Sequence, residues 1–131
     1  MNERYIRQTM IPEIGEAGQE KLKNAKVLIV GIGGLGSPIS LYLTAAGVGQ
    51  IGLIDDDIVS SSNLQRQILY TEAEIGQSKV ECACRRLSAL NSSTRFETYP
   101  NRFTSDNADR LVSTYDIIVD GCDNAATRYL I

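Results

Sequence analysis

Lys26-Val27-Leu28-Ile29-Val30-Gly31-Ile32-Gly33-Gly34-Leu35-Gly36 is the stretch that decides the fold. Lys26 to Val30 is short, apolar and partly β-branched, which suits a strand buried on both faces of a parallel sheet. Gly31 to Gly36 is a glycine-rich turn. Ser37 to Ala46 reads as an apolar helix ended by Gly47. A strand, a glycine turn and a helix in that order place free backbone N–H groups and a partial positive charge where a nucleotide phosphate can sit.

Outward from this unit, strand and helix alternate. Residues 15 to 24 read as an amphipathic helix with Leu22 on its apolar side. Ile51 to Ile54 is a second strand, closed by Asp55-Asp56-Asp57. A polar loop follows at Ser60-Ser61-Ser62-Asn63. Gly76 opens a further helix, whose Val80, Ala83, Leu87 and Leu90 form an apolar stripe. Arg95 to Tyr99 is a third strand. Ser105 opens another helix with Leu111 and Val112 buried, and Asp116 to Val119 is a fourth strand. The expected fold is Rossmann-like α/β: a doubly wound, mainly parallel sheet with helices on both faces, preceded by N-terminal helical sequence.

The chain has 131 residues, which is one domain. Ala125 to Ile131 reads as a helix that has just begun, so a domain truncated at its C-terminus is expected. There is no histidine, which removes Ser-His-Asp, Cys-His and histidine–zinc chemistry from these residues. Three cysteines, Cys82, Cys84 and Cys122, make no disulfide framework and no C-x-x-C pair, and suggest a reducing, cytoplasmic setting. Cys82 and Cys84 point apart on a helix and are poor joint metal ligands. A net charge of −3 argues against a nucleic-acid partner. No apolar run approaches the length of a membrane span.

Asp55 lies 19 residues after Gly36, at the tip of the second strand, where a carboxylate can accept hydrogen bonds from ribose hydroxyls. That fingerprint alone fits NAD as well as ATP, and the Walker pattern of P-loop enzymes is absent. Asn63, Arg66, Gln67 and Lys79 follow the second strand, while Asp123 and Asn124 follow the fourth. Loops at the carboxyl ends of parallel strands share one crevice. Two cations and a further carboxylate there suit a triphosphate with Mg²⁺. Taken singly, Arg66 also reads as a surface residue and Asp123-Asn124 as a helix cap. Lys79 sits against the dipole in a helix's first turn, which supports a structural role poorly.

The combination resembles the ThiF/MoeB/HesA family, relatives of the ubiquitin-activating enzymes. The matching stretches are Arg4-Tyr5-Ile6-Arg7-Gln8, the glycine loop, Ala46-Gly47-Val48-Gly49, Asp55-Asp56-Asp57, Ser62-Asn63-Leu64-Gln65-Arg66-Gln67, Gly76-Gln77-Ser78-Lys79 and Asp120-Gly121-Cys122-Asp123-Asn124. The resemblance implies ATP-dependent adenylation of the C-terminal glycine of a small ubiquitin-like sulfur-carrier protein, of the thiamine or molybdopterin biosynthesis type. It implies that Gly31, Gly33, Gly34 and Gly36 line the phosphate loop and that Asp55 holds the ribose. Asp57, the stretch Ser62 to Gln67 and Asn124 complete the nucleotide site. Asn63 and Arg66 contact the nucleotide and its phosphates, Lys79 neutralises phosphate charge, and Asp123 holds Mg²⁺. Arg7 reaches into the site of the other subunit of a homodimer. The family's zinc-binding C-x-x-C pairs and its sulfur-transfer or thioester cysteine belong to a C-terminal part that this sequence lacks, so the fragment by itself is expected to be incomplete for catalysis. Cys122 reads as structural. Two alternatives stand beside this one: a fragment of an NAD-dependent oxidoreductase, and a non-catalytic, dimerising pseudo-enzyme.

Overall fold

The computed structural model describes residues 5, 8, 10, 15–33, 36–60 and 69–121. Its elements in chain order are α1 (Gly15–Asn24), β1 (Lys26–Val30), α2 (Gly36–Ala46), β2 (Gln50–Ile54), a 3₁₀ turn (Glu72–Glu74), α3 (Lys79–Leu90), β3 (Arg95–Tyr99), α4 (Ser105–Thr114) and β4 (Ile117–Asp120). The four strands form one sheet in the order β3-β2-β1-β4, and every pairing is parallel. β1 therefore separates two directions of winding: β2 and β3 lie to one side and β4 to the other.

Period-two alternation splits the core across the sheet. Val27 and Ile29 of β1, with Ile51 and Leu53 of β2, join Val80, Ala83 and Leu87 of α3 on one face. Leu28, Val30 and Ile54 meet Ala108 and Leu111 of α4, with Phe103 and Tyr115, on the other. Both faces are thus covered by helices, which is why β1 reads as an unbroken apolar run. Gly52 has a packing reason on the second face, because a methyl group there would collide with the Tyr115 ring and hydroxyl.

Three expectations need correction. The helix expected from Gly76 begins at Lys79. Residues 57–59 run back against 76–79: the Val59 N–H donates to the Gln77 carbonyl (2.9 Å) and the Gly76 N–H to the Val59 carbonyl (2.8 Å), with Ile58 bridged to Ser78. This short antiparallel pairing occupies the backbone that a helix would need, and Gly76 turns into it at φ +90°. Val112, expected in the core, is 43% exposed. Ala108 and Leu111 already fill the narrow contact between α4 and the sheet, and Val112 lies about 100° further round the helix. The fourth strand is shifted by one residue. Asp116 precedes it and closes the corner, its N–H donating to the Lys26 carbonyl (2.8 Å) and its carboxylate accepting from the Lys26 N–H (3.0 Å).

Candidate functional site

The crevice lies outside the carboxyl ends of the strands, at the point where β1 and β4 diverge. Gly31 and Gly121 leave β1 and β4 side by side. The Gly31 N–H donates to the Ile54 carbonyl and the Gly121 N–H to the Val30 carbonyl, each at 2.9 Å. Gly31 turns at φ +91°, which L side chains rarely adopt. A Cβ on Gly36 would collide with the Gly31 carbonyl oxygen, and one on Gly121 would sit 2.6 Å from that same oxygen. Three glycines thus let two strand ends and the start of α2 converge on one backbone oxygen. The Ser37 N–H closes the first turn of α2 on the Gly33 carbonyl (2.9 Å).

The glycine loop is clamped through Ile32. Its N–H donates to Asp55 Oδ2 (2.8 Å), and its carbonyl accepts from the Tyr70 hydroxyl (2.7 Å) and more distantly from Ser37 Oγ (3.4 Å). Burial, reinforced by the nearby Asp55 carboxylate, pushes the Tyr70 phenol far above its ordinary value, so it stays protonated and donates. Asp55 Oδ1 accepts the Asp57 N–H (2.8 Å). Both Asp55 oxygens therefore hold backbone, and a carboxylate still has lone pairs to offer a further donor.

Lys79 is 4% exposed, and its Nζ lies 3.2 Å from Oδ2 of Asp57, whose side chain is 59% exposed. The Lys79 N–H also donates to the Asp57 carbonyl (3.2 Å). A structural tie for this lysine, poorly supported by its place in the helix alone, is therefore present. The antiparallel pairing of 57–59 with 76–79 supplies it. Hydrogen bonds and one ion pair run without a break from Lys79 through Asp57 and Asp55 to Ile32. The arrangement can present N–H groups and one buried cation to an anion.

Six of the expected site residues, Gly31, Gly33, Gly36, Asp55, Asp57 and Lys79, come together here. Arg7, Gly34, the stretch Ser62 to Gln67, Cys122, Asp123 and Asn124 lie outside the described residues. Among the described residues no group of three or more His, Cys, Asp or Glu side chains is placed to hold a metal. Cys82 is buried and Cys84 half-buried on α3, and burial with Glu74 pushes the Cys82 thiol up, away from reactivity. Sequence reasoning missed Tyr70 and the role of Gly121. Nothing local marks Tyr70, since its partner is 38 residues away, whereas Gly121 could have been found as a glycine at the end of a strand beside the glycine turn.

The sequence of residues 5–131 matches the ThiF family. The chain belongs to the ThiF family. It is 50% identical over 129 residues to a sulfur carrier protein adenylyltransferase of Thermus thermophilus, covering 98% of this chain and 48% of that protein. It is 53% identical to the adenylyltransferase and sulfurtransferase MOCS3 of Culex quinquefasciatus, covering 29% of that protein. This ThiF-family chain thus spans about half the length, or less, of these curated relatives. The crystal structure of the E. coli tRNA N6-threonylcarbamoyladenosine dehydratase TcdA superposes with a TM-score of 0.91 at 29% identity, over 98% of this chain and 53% of that one. The same enzyme in complex with ATP matches equally well. E. coli MccB with ATP gives a TM-score of 0.81 at 34% identity, over 95% of this chain and 39% of that one. No helix among the described residues is long and apolar enough to cross a membrane.

Proposed function

We propose that this chain is the nucleotide-binding domain of an adenylyltransferase that uses ATP to activate the C-terminal glycine of a small ubiquitin-like sulfur-carrier protein. The observation that carries this reading is the buried Lys79, linked through Asp57 and Asp55 to a glycine loop at the switch point of the sheet. The Lys79 side chain is buried while its Asp57 partner is largely exposed, so the ammonium can share its charge with a second anion brought to the site. The names of the sulfur-carrier adenylyltransferase relatives and the ATP-bound fold relatives support the same choice.

In the proposed reaction a carboxylate oxygen of the carrier attacks the α-phosphorus, the bond to the β-phosphate oxygen breaks, and pyrophosphate departs. The nucleophile is already an anion, so a chain without histidine lacks nothing by way of a general base. The protein's part is positioning and charge neutralisation. The glycine loop and the N-terminus of α2 receive phosphate, Asp55 orients the ribose, and Lys79 offsets negative charge. Asn63 and Arg66 contact the nucleotide. Asp123 would hold a Mg²⁺ ion, which when bound screens the phosphates. Arg7 serves the site of the partner in a homodimer. Titration calorimetry tests the reading: ATP with Mg²⁺ should bind more tightly than NAD. The reverse order would overturn it in favour of an oxidoreductase fragment.

A further inference from the structure

The Ile32 carbonyl is pinned inside the protein by the hydroxyl of Tyr70, a residue only 6% exposed. Peptide bonds among the described residues are trans, and in a planar trans peptide the N–H points opposite to the C=O. Pinning that carbonyl inward therefore turns the next amide, the Gly33 N–H, away from Tyr70. Gly33 is half-buried in the loop, and its N–H meets no acceptor among the described residues. Buried or half-buried amides are seldom left without a partner.

We propose that Tyr70 is a positioning residue whose hydroxyl, acting through the Ile32 carbonyl, aims the Gly33 N–H at a phosphate oxygen of the bound nucleotide. The proposal rests on the nucleotide reading above and adds to it a residue that touches no ligand itself. Without the hydroxyl, the carbonyl keeps only the long contact from Ser37 Oγ at 3.4 Å, and the peptide is held in its orientation less firmly, by the bonds of the Ile32 N–H and the Gly33 carbonyl on either side of it. The ring of Tyr70 would stay in the core beside Leu69 and Val59.

The test compares the 131-residue chain with its Tyr70→Phe variant, titrated with ATP and Mg²⁺ and separately with adenosine. Affinity for ATP should fall about three- to tenfold, the range of one hydrogen bond, while affinity for adenosine stays the same. An equal loss for both ligands would show that Tyr70 acts on the fold alone and would overturn the proposal, as would an unchanged affinity for ATP. A wild-type chain that binds neither ligand overturns the nucleotide reading and this proposal with it. Should the variant fail to fold, nitrogen-15 spectra of the wild-type chain still decide. The Gly33 amide resonance should move with ATP and not with adenosine, and a Gly33 signal unmoved in an ATP-bound chain overturns the proposal.

Discussion

Asp55, proposed above to orient a ribose, also holds the backbone around it. Its two oxygens hold the N–H groups of Ile32 and Asp57, so it fixes the glycine loop and the approach to Lys79 together. Asp55→Ala should therefore lower stability as well as nucleotide affinity. Two lost bonds to a charged acceptor suggest a stability cost of about 3–6 kcal/mol, to be read from urea unfolding. Lys79 behaves oppositely. Its carboxylate partner among the described residues, Asp57, is largely exposed and stays solvated when the lysine is removed, so little stability rests on the pair. Lys79→Met fills the same buried space, so its free energy of unfolding should stay within about 1 kcal/mol of wild type while ATP binding is lost. A large drop in stability would make Lys79 a structural residue. Gly36→Ala should fail on both counts, because the added methyl has only the Gly31 carbonyl to displace.

At the scale of elements, α2 ends in a Schellman motif. The Gly47 N–H donates to the Thr44 carbonyl (3.1 Å) and the Val48 N–H to the Leu43 carbonyl (3.2 Å), with Gly47 at φ +96°. Side-chain donors add to this end: Gln19 on the Ala46 carbonyl (2.9 Å) and Asn91 as a second donor on the Thr44 carbonyl (3.0 Å). Gly47→Ala would be strained and would press on Gln19 and Tyr5, so a cost of about 1–2 kcal/mol is expected by thermal unfolding. The 3₁₀ turn carries an acid-sensitive tie. Burial alone would raise the Glu74 carboxyl. The Thr71 N–H, Cys82, Arg85 and the Thr71 hydroxyl outweigh it and hold the group below its ordinary value. A carboxylate depressed on folding stabilises above its unfolded value, and that contribution is lost as pH falls through the folded value. Melting temperature should thus decline below the ordinary carboxylate range, and the decline should be shallower in Glu74→Gln.

At the scale of the whole molecule, the proposed homodimer makes a sharper claim than affinity does. Arg7 precedes α1, far in sequence from the glycine loop, and a guanidinium supplied in trans can stabilise charge on a transferring group. Arg7→Ala and Lys79→Ala variants of a relative-length protein should each be nearly inactive alone. Mixing them should restore activity, because one site of each heterodimer then has both residues. No recovery after demonstrated subunit exchange would place Arg7 outside its partner's site.

The run from Val27 to Val30 by itself pointed to the parallel sheet, since strands buried on both faces carry continuous apolar runs, and the glycines from Gly31 to Gly36 marked a turn where backbone crowds closely. Helix starts were less legible. Gly76 looks like an opening, but the antiparallel pairing of 57–59 with 76–79 delays α3 to Lys79. Val112 has the hydrophobicity of a core residue, and only the packing of α4 on the sheet shows that it misses the core. Lys79 and Asp57 were both visible as candidates, yet their pairing across 22 residues was not. Tyr70 carries no local pattern, because its role depends on a distant backbone group, the Ile32 carbonyl, whereas Gly121 is marked only by its place at a strand end and gains its role from the Gly31 carbonyl. Periodicity records what one element demands of its own residues. Which side chain meets which carbonyl is decided only when strand order brings separate loops to the same end of the sheet.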